Sequence, residues 1–198
     1  MAINSNLLRK NRFIIEKIRA LSMKRAREVA GEIEEHLNPK DLVLDIGAGN
    51  CNVTEALMDD GYEVTAIDVK NLSLAEDIRP VIYDGNTIPF KNKQFDVALI
   101  LFVLHHTKNP IRILSEAARV SEKIIVMEDV FDNDIGKYVT FAVDSILNQE
   151  FFGHPHSNMS DSQWKNVFSK LHLSVEFERT EKWRLLIDHA TYCLRDKS

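Results

Sequence analysis

From Phe95 to Leu104 the chain reads FDVALILFVL, with a single charged residue, Asp96. A strand with one wet face alternates apolar and polar residues. One that is apolar throughout is buried on both faces, as in parallel sheets covered by helices on each side. Such a strand needs neighbours of its own kind, and the chain supplies them. Leu42–Ile46 (LVLDI), Glu63–Val69 (EVTAIDV), Pro80–Tyr83 (PVIY) and Lys123–Met127 (KIIVM) are short strand-like runs. Helical stretches separate them. Val53–Met58 ends at Asp59-Asp60-Gly61, with Gly61 in the C′ position. A short helix is expected near Ser73–Ile78, and Asn109-Pro110 opens another to about Val120. This alternation predicts parallel β with right-handed crossovers, an open doubly wound α/β sheet.

The flanks differ in composition. Residues 1–40 carry 9 Lys/Arg against 5 Asp/Glu, and residues 41–198 carry 16 against 25, for a net charge of −5 overall. Leu7, Ile14, Ile18, Leu21, Val29, Ile33 and Leu37 form one apolar stripe that stops at Asn38-Pro39, so 1–40 reads as an N-terminal helical extension to a domain at 41–198. Its other face holds Arg9, Lys10, Arg12, Lys17, Arg19, Lys24, Arg25 and Arg27. Packing on the domain with a solvated basic face is the favoured reading. Weak peripheral contact with an anionic membrane or RNA is the other. Beyond the fifth strand, a helix at Ile135–Gln149 and a loop at Phe151–Met159 make an insert of about 131–159. Ser160 and Gln163 stand in capping-box positions for a helix to about Leu171. Leu173–Phe177 and His189–Leu194 then suit an antiparallel strand pair.

At 198 residues and 44% apolar, the chain suffices for one domain with a sizeable core. No apolar run approaches the ~20 residues of a membrane span, and no signal-peptide h-region is present. Two cysteines, Cys51 and Cys193, cannot form a disulfide framework. A cytoplasmic location is expected, and the negative balance argues against a dedicated nucleic-acid binder.

The chemistry concentrates at the strand ends. The first strand runs into Asp45-Ile46-Gly47-Ala48-Gly49 just before a helix. Glycines there allow a sharp turn and close approach of a ligand, and the helix N-terminus attracts a carboxylate or phosphate. The second strand ends at Asp68, placed to accept hydrogen bonds from both hydroxyls of a ribose. The third ends at Asp84-Gly85, within reach of an exocyclic base amine. Together these predict a nucleoside-containing cofactor across the strand ends. The dinucleotide pattern Gly-x-Gly-x-x-Gly needs glycine at position 52, where this chain has Asn52, which argues against a nicotinamide oxidoreductase. S-adenosylmethionine (SAM), with an amino-acid tail and no pyrophosphate, fits better.

On LVLDIGAG, AIDV, YDGNTIPF and FDVALILFVLHHTKNP, residues 41–130 resemble the class I SAM-dependent methyltransferases, most closely the small-molecule group related to the ubiquinone and menaquinone C-methyltransferases. The resemblance implies a Rossmann-like, seven-stranded mixed sheet with methyl transfer from SAM to a small-molecule oxygen, nitrogen or activated carbon, leaving S-adenosylhomocysteine (SAH). It also implies cofactor contacts at Asp45, Gly47, Ala48, Gly49, Asp68, Val69, Asp84, Gly85 and Leu101. Family members often have a third small residue where this chain has Cys51, and small or polar residues where it has Ile100 and Leu101. His105 and His106 follow the fourth strand at the mouth of the expected pocket, and an imidazole there suits a general base. Glu128-Asp129 ends strand five on the same rim. No metal site is expected, since His154-Pro155-His156 matches no ligand spacing. The rival readings are a methyltransferase acting on RNA or protein through the basic helix, and a non-catalytic binding subunit of the same fold.

Overall fold

The computed structural model describes residues 12–130, 159–183 and 187–197. The expected helix at 135–149, most of the loop after it and the start of the N-terminal stripe lie outside the described residues. The elements are α1 (Arg12–Ile33), β1 (Leu42–Ile46), α2 (Asn52–Asp59), β2 (Glu63–Asp68), β3 (Val81–Ile82), β4 (Phe95–Leu101), α3 (Pro110–Val120), β5 (Ser121–Val130), α4 (Asp161–Lys170), β6 (Leu173–Trp183) and β7 (Ile187–Asp196). The strands form one seven-stranded sheet in the order β3-β2-β1-β4-β5-β7-β6. The first five are parallel, and β7 pairs antiparallel with both β5 and β6. This is the mixed, doubly wound sheet expected from the sequence.

The central strands are buried on both faces, as the apolar run at β4 requires. Leu44, Ile46, Ala98, Ile100 and Val126 pack with α3 and α4 through Leu114, Ala117, Trp164 and Phe168. Val43, Val97, Leu99 and Ile125 pack with α1 and α2 through Val29, Ile33, Ala56 and Leu57. The C-terminal half of α1 is thus part of the core. Leu21, counted in the apolar stripe, instead points outward at 67% exposure. The basic face of α1 meets acids of α2: Arg19 binds Glu55 and Arg27 binds Asp59, each at 2.8 Å.

Local signals set several boundaries. Asn109 Oδ1 accepts the Arg112 N–H at the start of α3, with Pro110 in the first turn. At the end of α2, Tyr62 N–H donates to Leu57 O and Gly61 N–H to Met58 O, with Gly61 at φ +95, a Schellman close. Ser160 and Gln163 form both bonds of the capping box at α4. Ser160→Ala is expected to cost about 1 kcal/mol, read as a lowered urea midpoint at unchanged m-value.

The helix expected at Ser73–Ile78 does not form. Leu74 N–H donates to Asn50 O, tying the segment to the loop after β1, and six residues ahead of Pro80 are too few to nucleate a helix against that tether.

Candidate active site

The C-terminal ends of β1, β2, β3, β4 and β5 meet at one rim. Between β1 and α2 the backbone turns through three left-handed residues, Gly47 at φ +75, Gly49 at φ +54 and Cys51 at φ +60. Cys51 thus stands in a conformation that favours glycine. A Cβ added at Gly47 would lie 2.7 Å from both methyl carbons of Val103, so the segment after β4 packs directly on this turn. A Cβ at Gly49 would meet nothing nearer than Gly47 O at 3.9 Å, which leaves open space beside the start of α2.

Asp68, at the tip of β2, faces that turn. Its Oδ2 accepts the Gly49 N–H at 2.8 Å and its Oδ1 the Lys70 N–H at 3.1 Å. Val69, next along, is 50% exposed, and one of its methyls would sit 3.1 Å from a Cβ on Gly85. Val69 and Gly85 therefore border one gap. Asp84 is exposed, and its Oδ1 accepts the N–H groups of Asn86 and Thr87, both at 2.8 Å. Those bonds hold its carboxyl below the usual range. Tyr83 lies between the acids; burial first, then the charges of Asp68 and Asp84, pushes its phenol up to about 12. Leu101, half-buried, ends β4 opposite Met127. The structure therefore brings Gly49 to Asp68 and Val69 to Gly85, and sets Gly47, Ala48, Asp84 and Leu101 at the same end of the sheet.

Asp45 sits deeper. It is buried, and its Oδ2 accepts the Thr54 hydroxyl at 2.6 Å, which joins β1 to the first turn of α2. Burial raises its carboxyl to about 6; the Thr54 bond opposes the rise and the Asp68 charge adds to it. A carboxyl with a higher pKa folded than unfolded binds its proton more tightly in the folded state. Its contribution to stability is therefore greatest when protonated and declines as pH rises from about 4 to about 6. Above that window the cost is constant, on the order of 3 kcal/mol. Asp45→Asn is expected to recover about 1–2 kcal/mol of this at pH 7 and to flatten the stability profile between pH 4 and 6, measured by urea unfolding at both ends.

Two polar groups at this turn were not legible as partners. Thr54 lies nine residues beyond Asp45, and a hydroxyl in the first turn of the following helix was the available signal. Asn52 opens α2; its side chain is buried with neither Oδ1 nor Nδ2 hydrogen-bonded. A buried amide without partners is costly, so it marks a place where a polar ligand group fits.

The second half of the rim carries the histidines. His105 lies in a 3₁₀ turn, Leu104–His106, and is 3% exposed. Its Nδ1 is 2.6 Å from Glu128 Oε2. Glu128 is fully buried, and its Oε1 also accepts the N–H groups of Val103 and Leu104 at 2.9 and 2.6 Å. His106 is half-exposed, its ring 4.0 Å from that of His105. The two histidines are thus unlike: one is held by a buried carboxylate, the other borders solvent. The parallel pairing of β4 with β5, which sets Leu101 opposite Met127, brings Glu128 to His105.

Residues 44–123 match the model of a methyltransferase domain. A protein of Staphylococcus carnosus described as an uncharacterized methyltransferase is 25% identical over 164 residues, covering 73% of this chain and 75% of that protein. The demethylmenaquinone methyltransferase of Beutenbergia cavernae is 31% identical over 99 residues, 46% of this chain and 41% of that protein. Among solved structures, magnesium protoporphyrin IX methyltransferase from Synechocystis PCC 6803, with bound SAH, superimposes with a TM-score of 0.65 at 17% identity, covering 94% of this chain and 89% of that one.

Proposed function

We propose that this chain, a class I SAM-dependent methyltransferase, methylates a small-molecule acceptor at a site where His105, held by Glu128, takes up the acceptor's proton. The observation that carries this reading is the buried His105–Glu128 pair at the end of β4, beside the glycine turn. When bound, SAM supplies an electrophilic methyl group on its sulfonium. The crevice suits SAM: there is open space at Gly49, an unpartnered amide at Asn52 and a carboxylate at the tip of β2.

The parts divide by chemistry. Asp68 keeps lone pairs for the ribose hydroxyls after its two backbone bonds. Val69 and Gly85 border the slot for the adenine, with Asp84 at its edge, and Leu101 offers an apolar contact from the end of β4, across β1. The turn Gly47-Ala48-Gly49 and the start of α2 receive the amino-acid tail. Asp45 holds that turn in place through Thr54. With Nδ1–H donating to Glu128, the lone pair of the His105 ring sits on Nε2, which is buried with the rest of the side chain. His106 orients the acceptor from the solvent side.

Burial of His105 favours a small acceptor over a macromolecule, and the salt bridges of Arg19 and Arg27 to α2 leave less basic surface for RNA or lipid. Among the described residues no helix is long and apolar enough to cross a membrane. Cys51 and Cys193 are both buried free thiols, which suits the cytoplasm.

Calorimetric titration with SAH tests the cofactor assignment. Saturable binding at one site is expected, and no heat at millimolar SAH from folded protein overturns it. Retention of total RNA by the full chain at moderate salt would overturn the small-molecule assignment.

A further inference from the structure

Adjacent residues of a strand point to opposite faces. Glu128 turns toward His105, so Asp129 turns to the other side, where it meets a cluster that methyl transfer does not use. There α1 and the sheet enclose a small cavity lined by Arg25, Glu28, Glu32, Phe102, Asp129 and His189. Strand register sets Asp129 opposite His189 on β7 and Glu181 of β6 opposite the same histidine. An acid, an imidazole and an acid thus form a row across three strands. Glu32 closes the row from α1, its Oε2 3.0 Å from His189 Nε2. One ligand atom each from Glu32, Glu181 and His189 all lie within 4.8 Å of one another.

We propose that Glu32, Glu181 and His189 form a binding site for a divalent transition-metal ion. The donor set, one imidazole nitrogen with carboxylate oxygens, suits Zn²⁺ or Mn²⁺; Ca²⁺ and Mg²⁺ favour oxygen alone. Geometry agrees. Two donors each ~2.1 Å from an ion lie about 3.0 Å apart at the right angle of an octahedral ion such as Mn²⁺ and about 3.4 Å apart at the tetrahedral angle of Zn²⁺; Glu32 and His189 stand at 3.0 Å. His189 is 4% exposed, with Phe102 edge-on to its ring, so its direction is fixed. Glu181 is the more exposed member, its side chain 44% exposed and its Oε1 3.0 Å from Arg179 Nε in an ion pair that metal binding would compete with. The charge balance also favours a cation. Glu28, Glu32, Asp129 and Glu181 face Arg25, which lies over the Phe102 ring, and Arg179, which is shared with Glu35. Such an ion would pin α1 to the antiparallel edge of the sheet. The competing account is a plain ion pair between an imidazolium and Glu32.

The test is titration of the full chain, stripped by chelator, with Zn²⁺ and separately Mn²⁺ by calorimetry, and with Co²⁺ by visible absorption. One ion per chain is expected, with d–d bands of nitrogen and oxygen ligation and a raised thermal midpoint. His189→Ala and, as a surface change that spares the core, Glu181→Gln should each weaken binding about 10- to 100-fold. His154→Ala/His156→Ala should leave it unchanged. Absence of stoichiometric binding overturns the site, as does affinity unaltered by both cluster variants or lost with His154 and His156.

Discussion

Asp68→Ala is expected to weaken SAH binding by about 10²- to 10⁴-fold, the largest loss of any cofactor-side change. The carboxylate is buried at the tip of β2 and already orients two backbone N–H groups, Gly49 and Lys70. Four lone-pair sites minus two leave two for the ribose. Hydrogen bonds to a charged group contribute about 1.5–3 kcal/mol each, and 1.4 kcal/mol is a tenfold change in affinity. Loss of two such bonds, with a glycine turn no longer held at Gly49, accounts for the range. Asp84→Ala should cost less, about tenfold at most, because Asp84 is exposed and water competes for the same contact. Calorimetry with SAH separates the two variants. Affinity within threefold of wild type for Asp68→Ala would remove Asp68 from the site.

The second large effect is on proton transfer. Glu128→Gln preserves shape, and its amide oxygen still accepts from Val103 and Leu104. Its NH₂ group must then face His105 Nδ1, where the carboxylate accepted a proton. That reverses the imidazole: Nδ1 becomes the acceptor and Nε2 carries the hydrogen, so the basic lone pair leaves the acceptor side. Methyl transfer should fall about 10²- to 10⁴-fold, the usual span for general base catalysis, with SAH affinity unchanged. The switch is visible before any acceptor is identified, because ¹⁵N shifts of His105 report which nitrogen is protonated. His105 protonated on Nδ1 in the Gln variant, or an unaltered rate with an acceptor in hand, would refute this role. His106→Ala should have the smaller effect, since His106 borders solvent.

Features encoded by neighbours in sequence were readable. Asn109-Pro110 and the Ser160–Gln163 box each complete their bonds within three residues. Unbroken apolarity placed β4 inside the sheet, and the acids at three strand ends marked the rim. Long-range events were not readable. The segment 73–78 has helical composition, yet one bond from Leu74 to Asn50, 24 residues away, decides its course. Glu128 reads as a rim acid like Asp129; only the register of β4 against β5 makes it the partner of His105. Glu32 and His189 lie 157 residues apart and meet only because α1 crosses the sheet above β7. Asn52 was legible as a missing glycine, but its buried, unpartnered amide appears only once α2 is packed.

The carboxylate of Glu128 grips the backbone at Val103 and Leu104, and the Val103 methyls press on Gly47. One carboxylate on β5 thus reaches, through the backbone after β4, the turn after β1, and the proposed acceptor and cofactor sides share that link. If an entering acceptor shifts 103–104, the shift reaches the turn proposed to receive the amino-acid tail of SAM, and the two affinities are then linked. Reciprocity then fixes the bookkeeping: whatever factor one substrate gains from the presence of the other, the other gains in return.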